Sequence, residues 1–286
     1  MKFGISTYSL HQAFKSGQLT IAGVIETVAE LGAEHVEIVP LGYNLVDQPE
    51  LIPIIKHSAQ QTGLELSNYA IQANFSDLSA TAFQQEIERV KSEVDVCAEL
   101  GIRKMRHDIG FSKDVSYEHF IKELPAFVTA ATQISEYAEQ YHITASIENH
   151  GFYVQHSERV RKIVEEVNRH NFKMTVDIGN FLCVDENPVS AVGSSIELAS
   201  MVHVKDFYIR PATHIVSEGW FQSASGQWLR GSILGQGDIE MMKVLQLVKD
   251  SQYDDYISLE FEGMEECIKG TRLGFEYLKK AWQLLD

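Results

Sequence analysis

The chain has 286 residues, and its 24 Lys and Arg against 40 Asp and Glu give a formal net charge of −16 at pH 7. Hydrophobic residues make up 44% of a composition typical of globular proteins, which excludes disordered, collagen-like and coiled-coil chains. The acidic excess opposes a surface that neutralises phosphates, so we expect no nucleic acid partner.

The three cysteines, Cys97, Cys183 and Cys267, are far apart in the chain, and no C-x-x-C pair occurs. Neither a thiolate zinc site nor a disulfide framework is therefore expected. The first residues contain no hydrophobic targeting region, and no apolar run has the length of a membrane span. We expect a cytoplasmic protein with no membrane segment.

Short runs rich in β-branched residues alternate along the chain with longer segments of helical periodicity. In chain order, the predicted strand and helix pairs are Phe3–Ser9 with Ile21–Leu31, His35–Val39 with Glu50–Thr62, Leu64–Tyr69 with Thr81–Leu100, Arg103–His107 with Tyr117–Gln140, Thr144–Asn149 with Ser157–Arg169, Lys173–Ile178 with Val189–Ala199, Met201–Asp206 with Ile239–Asp250, and Tyr256–Phe261 with Glu265–Leu284. Gly32, Gly63 and Gly101 follow the first three helices, as helix-terminating glycines do.

Strands that alternate with helices predict parallel βαβ units. Eight units that close on themselves form a (β/α)8 barrel, and we predict a single-domain α/β TIM barrel over residues 1–286. The alternative is a doubly wound open sheet, which usually carries a glycine-rich phosphate turn after its first strand. The first predicted strand is followed by no G-x-G-x-x-G sequence, so we favour the barrel.

One connection is much longer than the others. After the seventh predicted strand, about thirty residues from Phe207 to Gly237 lack clear periodicity and include Trp220, Trp228 and Arg230. Loops of this length are usually functional, and this one would lie at the carboxyl end of the barrel, where active sites form. We predict a lid or a binding loop; an ordered excursion or a contact in a homo-oligomer is the alternative.

Four consecutive strands end in residues that bind metals. Glu148, Asp177, His203 and Glu260 each lie between apolar neighbours, so each side chain points to the opposite side from those neighbours and can reach the barrel axis. Three carboxylates held together repel one another, and a divalent cation removes that repulsion. Mostly oxygen ligands with one imidazole favour one ion of Mn²⁺, with Mg²⁺, Co²⁺ and Zn²⁺ as alternatives.

Six further residues are candidates for substrate binding: His107, Asn180, His150, Lys205, Glu37 and Arg230. By alternation along KMRHD, Arg106 and His107 face opposite ways, and we expect His107 to point inward. His150 lies two residues after the glutamate of strand five, where it either shares that side or caps the following loop. Lys205 is either the Schiff-base lysine of an aldolase or the partner of a carboxylate, and Glu37 either orients substrate or forms an ion pair.

The segments IENHG, VDIGN, HVKD, GQGDIE and LEFEG together resemble the sugar isomerase and epimerase superfamily with the xylose isomerase-like barrel. The resemblance spans essentially the whole chain and is densest between Glu148 and Gly263. It implies that Glu148, Asp177, His203 and Glu260 bind one divalent metal. It also implies that the two glutamates flank a sugar and exchange protons with it.

Isomerisation and epimerisation of sugars both remove a proton next to a carbonyl and form an anionic enediolate. A divalent cation stabilises such an anion as a Lewis acid, while one carboxylate takes the proton and an acid on the other face returns it. We assign these roles to Glu148 and Glu260, in an order that depends on the substrate. The expected partner is a small carbohydrate or polyol, free or phosphorylated.

Several other functions remain open on the same scaffold. An inosose-type or dehydroshikimate-type dehydratase would use the same metal and proton abstraction and then expel a hydroxyl group. A barrel that binds a polyol without catalysis is a further alternative. An apurinic-site endonuclease is disfavoured by the charge and by Asn180, which stands where related proteins carry a histidine ligand; Asn180 can instead hydrogen-bond a sugar hydroxyl.

Overall fold

Eight parallel strands close into a barrel in the computed structural model, which describes residues 1–285. The strands in chain order are β1 (Lys2–Ser6), β2 (His35–Ile38), β3 (Glu65–Ile71), β4 (Lys104–His107), β5 (Thr144–Glu148), β6 (Phe172–Asp177), β7 (Ala199–Val204), β8 (Asp206–Arg210), β9 (Phe221–Gln222), β10 (Trp228–Ser232) and β11 (Tyr256–Leu259). The order around the barrel is β1-β11-β7-β6-β5-β4-β3-β2, so the predicted (β/α)8 fold is confirmed and the open sheet is excluded.

Helices follow the barrel strands and cover their outer face. They are α1 (His11–Lys15), α2 (Ile21–Glu30), α3 (Leu51–Thr62), α4 (Ala80–Leu100), α5 (Tyr117–Glu139), α6 (Ser157–Val167), α7 (Pro188–Ser195), α8 (Met241–Asp250) and α9 (Cys267–Gln283). Ser79 and Ser116 cap the first turns of α4 and α5, while Gly63 and Gly101 end α3 and α4 in the left-handed conformation. No helix within residues 1–285 combines the length and apolar character needed to cross a bilayer.

The first strand pairs with the last and closes the sheet. Phe3 is in register with Ile257, and Gly4 with Ser258. Gly4 lies against the buried ring of His35, and a Cβ atom at this position would be 2.3 Å from both Nδ1 and the carbonyl oxygen of His35. Close approach of β1 to β2 therefore requires a glycine here.

The first strand is shorter than predicted. It ends at Ser6, whose hydroxyl accepts a hydrogen bond from the backbone N–H of Tyr8, and a 3-10 helix then covers Thr7–Leu10. Residues of this 3-10 helix have the same apolar and β-branched composition as the strand, so the sequence pattern does not mark the boundary.

The long connection after the seventh strand is not a structureless loop, as the absence of periodicity had suggested. It contains the three-stranded antiparallel sheet β8-β10-β9, which we call the excursion sheet. Phe207, Leu229 and Phe221 on one of its faces pack with Cys183 in a small core separate from that of the barrel. The segment is therefore ordered, and its role as a lid or binding loop stays a prediction.

Asp206 fastens both ends of the excursion sheet to the barrel. Its two carboxylate oxygens accept hydrogen bonds from the backbone N–H groups of Phe207, Gly235, Gly237 and Ile239, at 2.9 to 3.3 Å. A Cβ atom on Gly237 would lie 2.2 Å from Oδ1 of Asp206. The glycines of GQGDIE thus let the backbone wrap this carboxylate.

Candidate functional site

The structure brings the four predicted metal ligands together at the carboxyl ends of β5, β6, β7 and β11. The Nδ1 atom of His203 lies 3.6 Å from Oε2 of Glu148, 3.5 Å from Oε1 of Glu260 and 3.9 Å from Oδ2 of Asp177. All four side chains are buried, and neighbouring strands supply them in succession. The alternation of apolar neighbours turns each side chain toward the barrel axis.

This cluster fits a divalent cation. Nδ1 of His203 is buried and has no hydrogen-bond partner, and buried polar atoms without a partner are uncommon. Ligand atoms of Glu148, Asp177 and His203 all lie within 4.8 Å of one another. Three carboxylates and one imidazole are a donor set that accommodates a single Mn²⁺, Mg²⁺, Co²⁺ or Zn²⁺ ion.

Lys205 lies among these carboxylates. Its Nζ atom is 3.0 Å from Oδ2 of Asp177, 3.0 Å from Oε2 of Glu260 and 3.6 Å from Oε2 of Glu262. Burial disfavours the ammonium charge, but the carboxylates around it outweigh burial and hold the pKa of Lys205 well above its usual range. A Schiff base requires a neutral amine, so this geometry supports the paired lysine rather than the aldolase.

Arg106, and not His107, faces the cavity. Its Nε atom lies 2.5 Å from Oε2 of Glu148, and one terminal nitrogen lies 2.9 Å from Oδ1 of Asp108. His107 is directed away from the axis, between the rings of Phe75 and Phe172. The expected orientation of this pair was therefore wrong, because alternation assigns opposite sides without identifying which side is the axis.

Asn180 holds two of the ligand carboxylates. Its side-chain Nδ2 donates to Oε1 of Glu148 at 2.8 Å, and its backbone N–H donates to Oδ1 of Asp177 at 2.8 Å. Asn180 begins the 3-10 helix Asn180–Val184 that follows β6, and it lines the cavity. The predicted contact with a substrate hydroxyl stays a prediction, but the amide already orients the metal-ligand side chains.

His150 lines the cavity on the loop after β5. Its Nδ1 donates to Oδ1 of the buried Asp108 at 2.9 Å, which leaves Nε2 available to the cavity. Burial favours the neutral imidazole, but the Asp108 carboxylate outweighs it, and the pKa of His150 is raised above its ordinary value. His150 is therefore a candidate proton donor as well as a substrate contact.

Glu37 does not line the cavity, which corrects the prediction that it orients substrate. It is fully buried beneath the cluster, where Oε1 accepts a hydrogen bond from Nε2 of His203 at 2.9 Å and another from Nδ2 of Asn68 at 2.7 Å. The ion-pair interpretation describes this residue, and its partner is a predicted metal ligand.

Arg230 lies on β10 and is also absent from the cavity lining, contrary to its predicted role in substrate binding. Its guanidinium group is 5.0 Å from the ring centroids of both Tyr208 and Trp220. Cation–π contacts of this kind hold the group on the outer face of the excursion sheet.

A cavity of about 490 Å³ opens over the metal-ligand cluster, a size suited to a small organic ligand. The predicted residues that line it are Glu148, His150, Asn180, His203, Lys205 and Glu260. Its walls also include Tyr8, Arg106, Phe152, Phe221 and Glu262. Sequence reasoning missed Glu262, although the second glutamate of LEFEG follows Glu260 with the spacing that keeps it on the same side of the strand. Phe221 comes from the excursion sheet, and no sequence signal indicates that it reaches the cavity.

The eight strands form a closed parallel barrel, and a buried cluster of carboxylates and one imidazole lies at its carboxyl end. The protein is therefore a TIM barrel with a candidate metal site. The model of the xylose isomerase-like TIM barrel family matches residues 25–281, and the chain belongs to this family. The uncharacterised protein MJ1311 of Methanocaldococcus jannaschii is 23% identical over 289 residues, which cover 98% of this chain and 90% of that protein.

Solved structures share the fold at low sequence identity. The probable 3-DHS dehydratase AsbF of Bacillus anthracis superposes with a TM-score of 0.76 at 18% identity, covering 98% of this chain and 99% of AsbF. The D-allulose 3-epimerase of Methylomonas sp. has a TM-score of 0.75 at 15% identity, covering 98% of both chains. The IolI protein, crystallised with a zinc atom, has a TM-score of 0.75 at 17% identity, covering 98% of this chain and 96% of IolI.

Proposed function

We propose that this protein is a divalent-metal-dependent isomerase or epimerase of a sugar or sugar phosphate, formed by a single domain. One observation carries the proposal: Glu148 and Glu260 both lie close to Nδ1 of His203, at 3.6 and 3.5 Å. The two glutamates come from β5 and β11, which are separated by two strands, so they reach the cavity from different directions. Family membership and the fold shared with a D-allulose 3-epimerase support this class of reaction.

Glu148, Asp177, His203 and Glu260 would hold the cation, and the donor set favours manganese. When bound, the cation would supply Lewis-acid stabilisation of the anionic enediolate. The zinc atom bound by the similarly folded IolI protein supports a metal requirement without identifying the ion used by this chain.

Glu148 is suited to take the proton from the carbon next to the carbonyl. Burial favours its neutral form, but Arg106 and the other cationic groups around it, His203, His150 and Lys205, together outweigh burial. The pKa of Glu148 therefore lies below its ordinary value and the carboxylate is ionised. Arg106 and Asn180 each hold one of its oxygens, which fixes the direction of proton transfer. Return of the proton to the neighbouring carbon by Glu148 isomerises the substrate, whereas delivery from Glu260 to the other face inverts the carbon centre.

A metal-dependent dehydratase is the second candidate, and His150 is the observation that favours it. Loss of water requires an acid to protonate the leaving hydroxyl. The imidazole of His150, held by Asp108, presents Nε2 to the cavity and is suited to that task. The fold shared with the probable dehydratase AsbF supports this alternative.

Metal content followed by product analysis tests the proposal. Plasma mass spectrometry on the native protein and on an Asp177→Ala/His203→Ala double variant should find about one Mn, Mg, Co or Zn per chain, lost in the variant. NMR of a sugar, sugar phosphate and cyclic polyol panel in D2O should then reveal exchange of a carbon-bound hydrogen. Formation of an unsaturated product would select the dehydratase. Failure to retain metal after reconstitution would contradict both.

A further inference from the structure

A chain of buried hydrogen bonds runs behind the metal-ligand cluster. Nε2 of His203 donates to Oε1 of Glu37 at 2.9 Å, and Nδ2 of Asn68 donates to the same oxygen at 2.7 Å. Glu37 and Asn68 are completely inaccessible to solvent, and His203 is 1% exposed. The three residues come from β2, β3 and β7, so the chain crosses the barrel interior.

A carboxylate in this position is costly to bury. Removal of an ionised group from water is unfavourable unless a cation or several hydrogen bonds compensate for it. In the part of the chain that the structure describes, the only ion-pair partner of Glu37 is the imidazole of His203; no Lys or Arg pairs with it. The cost of burying Glu37 is therefore offset by its interaction with His203. The role of Glu37 is accordingly sought in its effect on the imidazole ring of His203.

We propose that Glu37 is a positioning residue for the metal centre and that Asn68 holds its carboxylate in place. When the ring is neutral, as a metal ligand must be, donation of the Nε2 hydrogen to Glu37 leaves Nδ1 free of hydrogen. That atom faces Glu148, Asp177 and Glu260 and has no hydrogen-bond partner. A carboxylate behind a ligand histidine fixes its tautomer and orientation and increases its basicity. This inference rests on the proposed metal-dependent function.

The position of Glu37 shows that it supports His203 without itself contacting the substrate cavity. Glu37 is absent from the cavity walls and makes both of its hydrogen bonds to protein groups through Oε1. His203, by contrast, contributes to the cavity lining. Glu37 therefore acts on the cavity through His203 and not by contact with the substrate.

Titration calorimetry with Mn²⁺ on the full-length protein measures this role directly. Glu37→Gln should weaken binding about 10- to 100-fold, the usual effect of losing such a partner. Glu37→Asp keeps the charge but shortens the side chain and should weaken binding in the same direction. Asn68→Ala should weaken it less. Glu186→Gln is the matched control, since Glu186 is a partly buried carboxylate that accepts a hydrogen bond from the backbone N–H of Ser157 and is absent from the cavity lining; its binding constant should stay within about twofold.

The absorption bands of Co²⁺-substituted protein provide a second readout, because they report the geometry of the ligands. They should shift in Glu37→Gln and remain unchanged in Glu186→Gln. Wild-type affinity and unaltered Co²⁺ bands in a folded Glu37→Gln protein would overturn the positioning role, as would wild-type affinity in Glu37→Asp. Should the Glu37 variants fail to fold, the same comparison rests on Asn68→Ala. Lack of Mn²⁺ binding by the wild type would instead refute the proposed function.

Discussion

Arg106 and Glu148 form a buried ion pair, with 2.5 Å between Nε and Oε2, inside the cavity over the metal-ligand cluster. Loss of one partner of a buried pair leaves the other charge uncompensated, which is strongly unfavourable. The ionisation of Glu148, the proposed catalytic base, therefore depends on Arg106 on the neighbouring strand β4.

Replacement of Arg106 by methionine should raise the pKa of Glu148, because the carboxylate would lose the strongest of the cations that counter the effect of burial. The ionised base would be lost at higher pH than in the wild type, so the acid limb of the kcat/KM profile should move upward. We also expect kcat/KM to fall about 100-fold at neutral pH. Profiles measured on a sugar that the D2O screen identifies provide the test, with Arg169→Met, at a residue that pairs with Glu136 outside the cavity, as the control. An unmoved acid limb would contradict this coupling.

Glu148→Gln and Glu260→Gln should each abolish turnover while the protein stays folded. The amide is nearly isosteric but cannot accept or return a proton, and loss of acid–base catalysis typically costs about 10²- to 10⁴-fold. Hydrogen exchange at the substrate carbon, followed by NMR in D2O, measures the effect, and circular dichroism verifies the fold. Glu88→Gln, on the exposed face of α4, is the control. Full activity in either cavity variant would remove that glutamate from the mechanism.

Asp206→Asn should loosen the excursion sheet. The amide group would present a donor to backbone N–H groups that now donate to the carboxylate, and we expect a loss of about 2–4 kcal/mol in unfolding free energy. Urea unfolding measures this loss, and limited proteolysis should cleave within residues 211–227 faster than in the wild type. Asp238→Asn, at a carboxylate that is 43% exposed, should have a smaller effect. Equal protease sensitivity of wild type and Asp206→Asn would argue against the fastening role.

The buried His35 should make the fold sensitive to mild acid. Burial lowers its pKa to about 4, whereas the unfolded chain titrates near 6.5. Between these values the unfolded state binds the proton more tightly, so this contribution to stability is present above about pH 6.5 and is lost as the pH falls toward 4.

From pH 7 to pH 5 this loss amounts to about 2 kcal/mol for His35. Urea unfolding at both pH values should show that His35→Gln, which retains a donor for the carbonyl of Ile257, loses less stability on acidification than the wild type. An identical pH dependence in both proteins would show that His35 does not titrate in this way.

Much of the architecture follows from local sequence. Eight alternations of a β-branched run with an amphipathic segment, together with caps such as Ser79 and terminators such as Gly101, specify where strands and helices form. The carboxyl ends of parallel strands lie at one end of a barrel, so Glu148, Asp177, His203 and Glu260 could be expected to converge before any tertiary structure was known.

Other features were decided only by the tertiary structure. In a parallel strand both faces are buried, so the apolar pattern of KMRHD does not reveal whether Arg106 or His107 faces the axis. Contacts between residues distant in sequence, such as Glu37 with His203 and Asp206 with Gly237, leave no local periodicity. The sequence by itself therefore determined the elements and the ligand types, because these depend on local spacing. The packing of the closed barrel determined which side chains reach the cavity, because that depends on which strands meet across its interior.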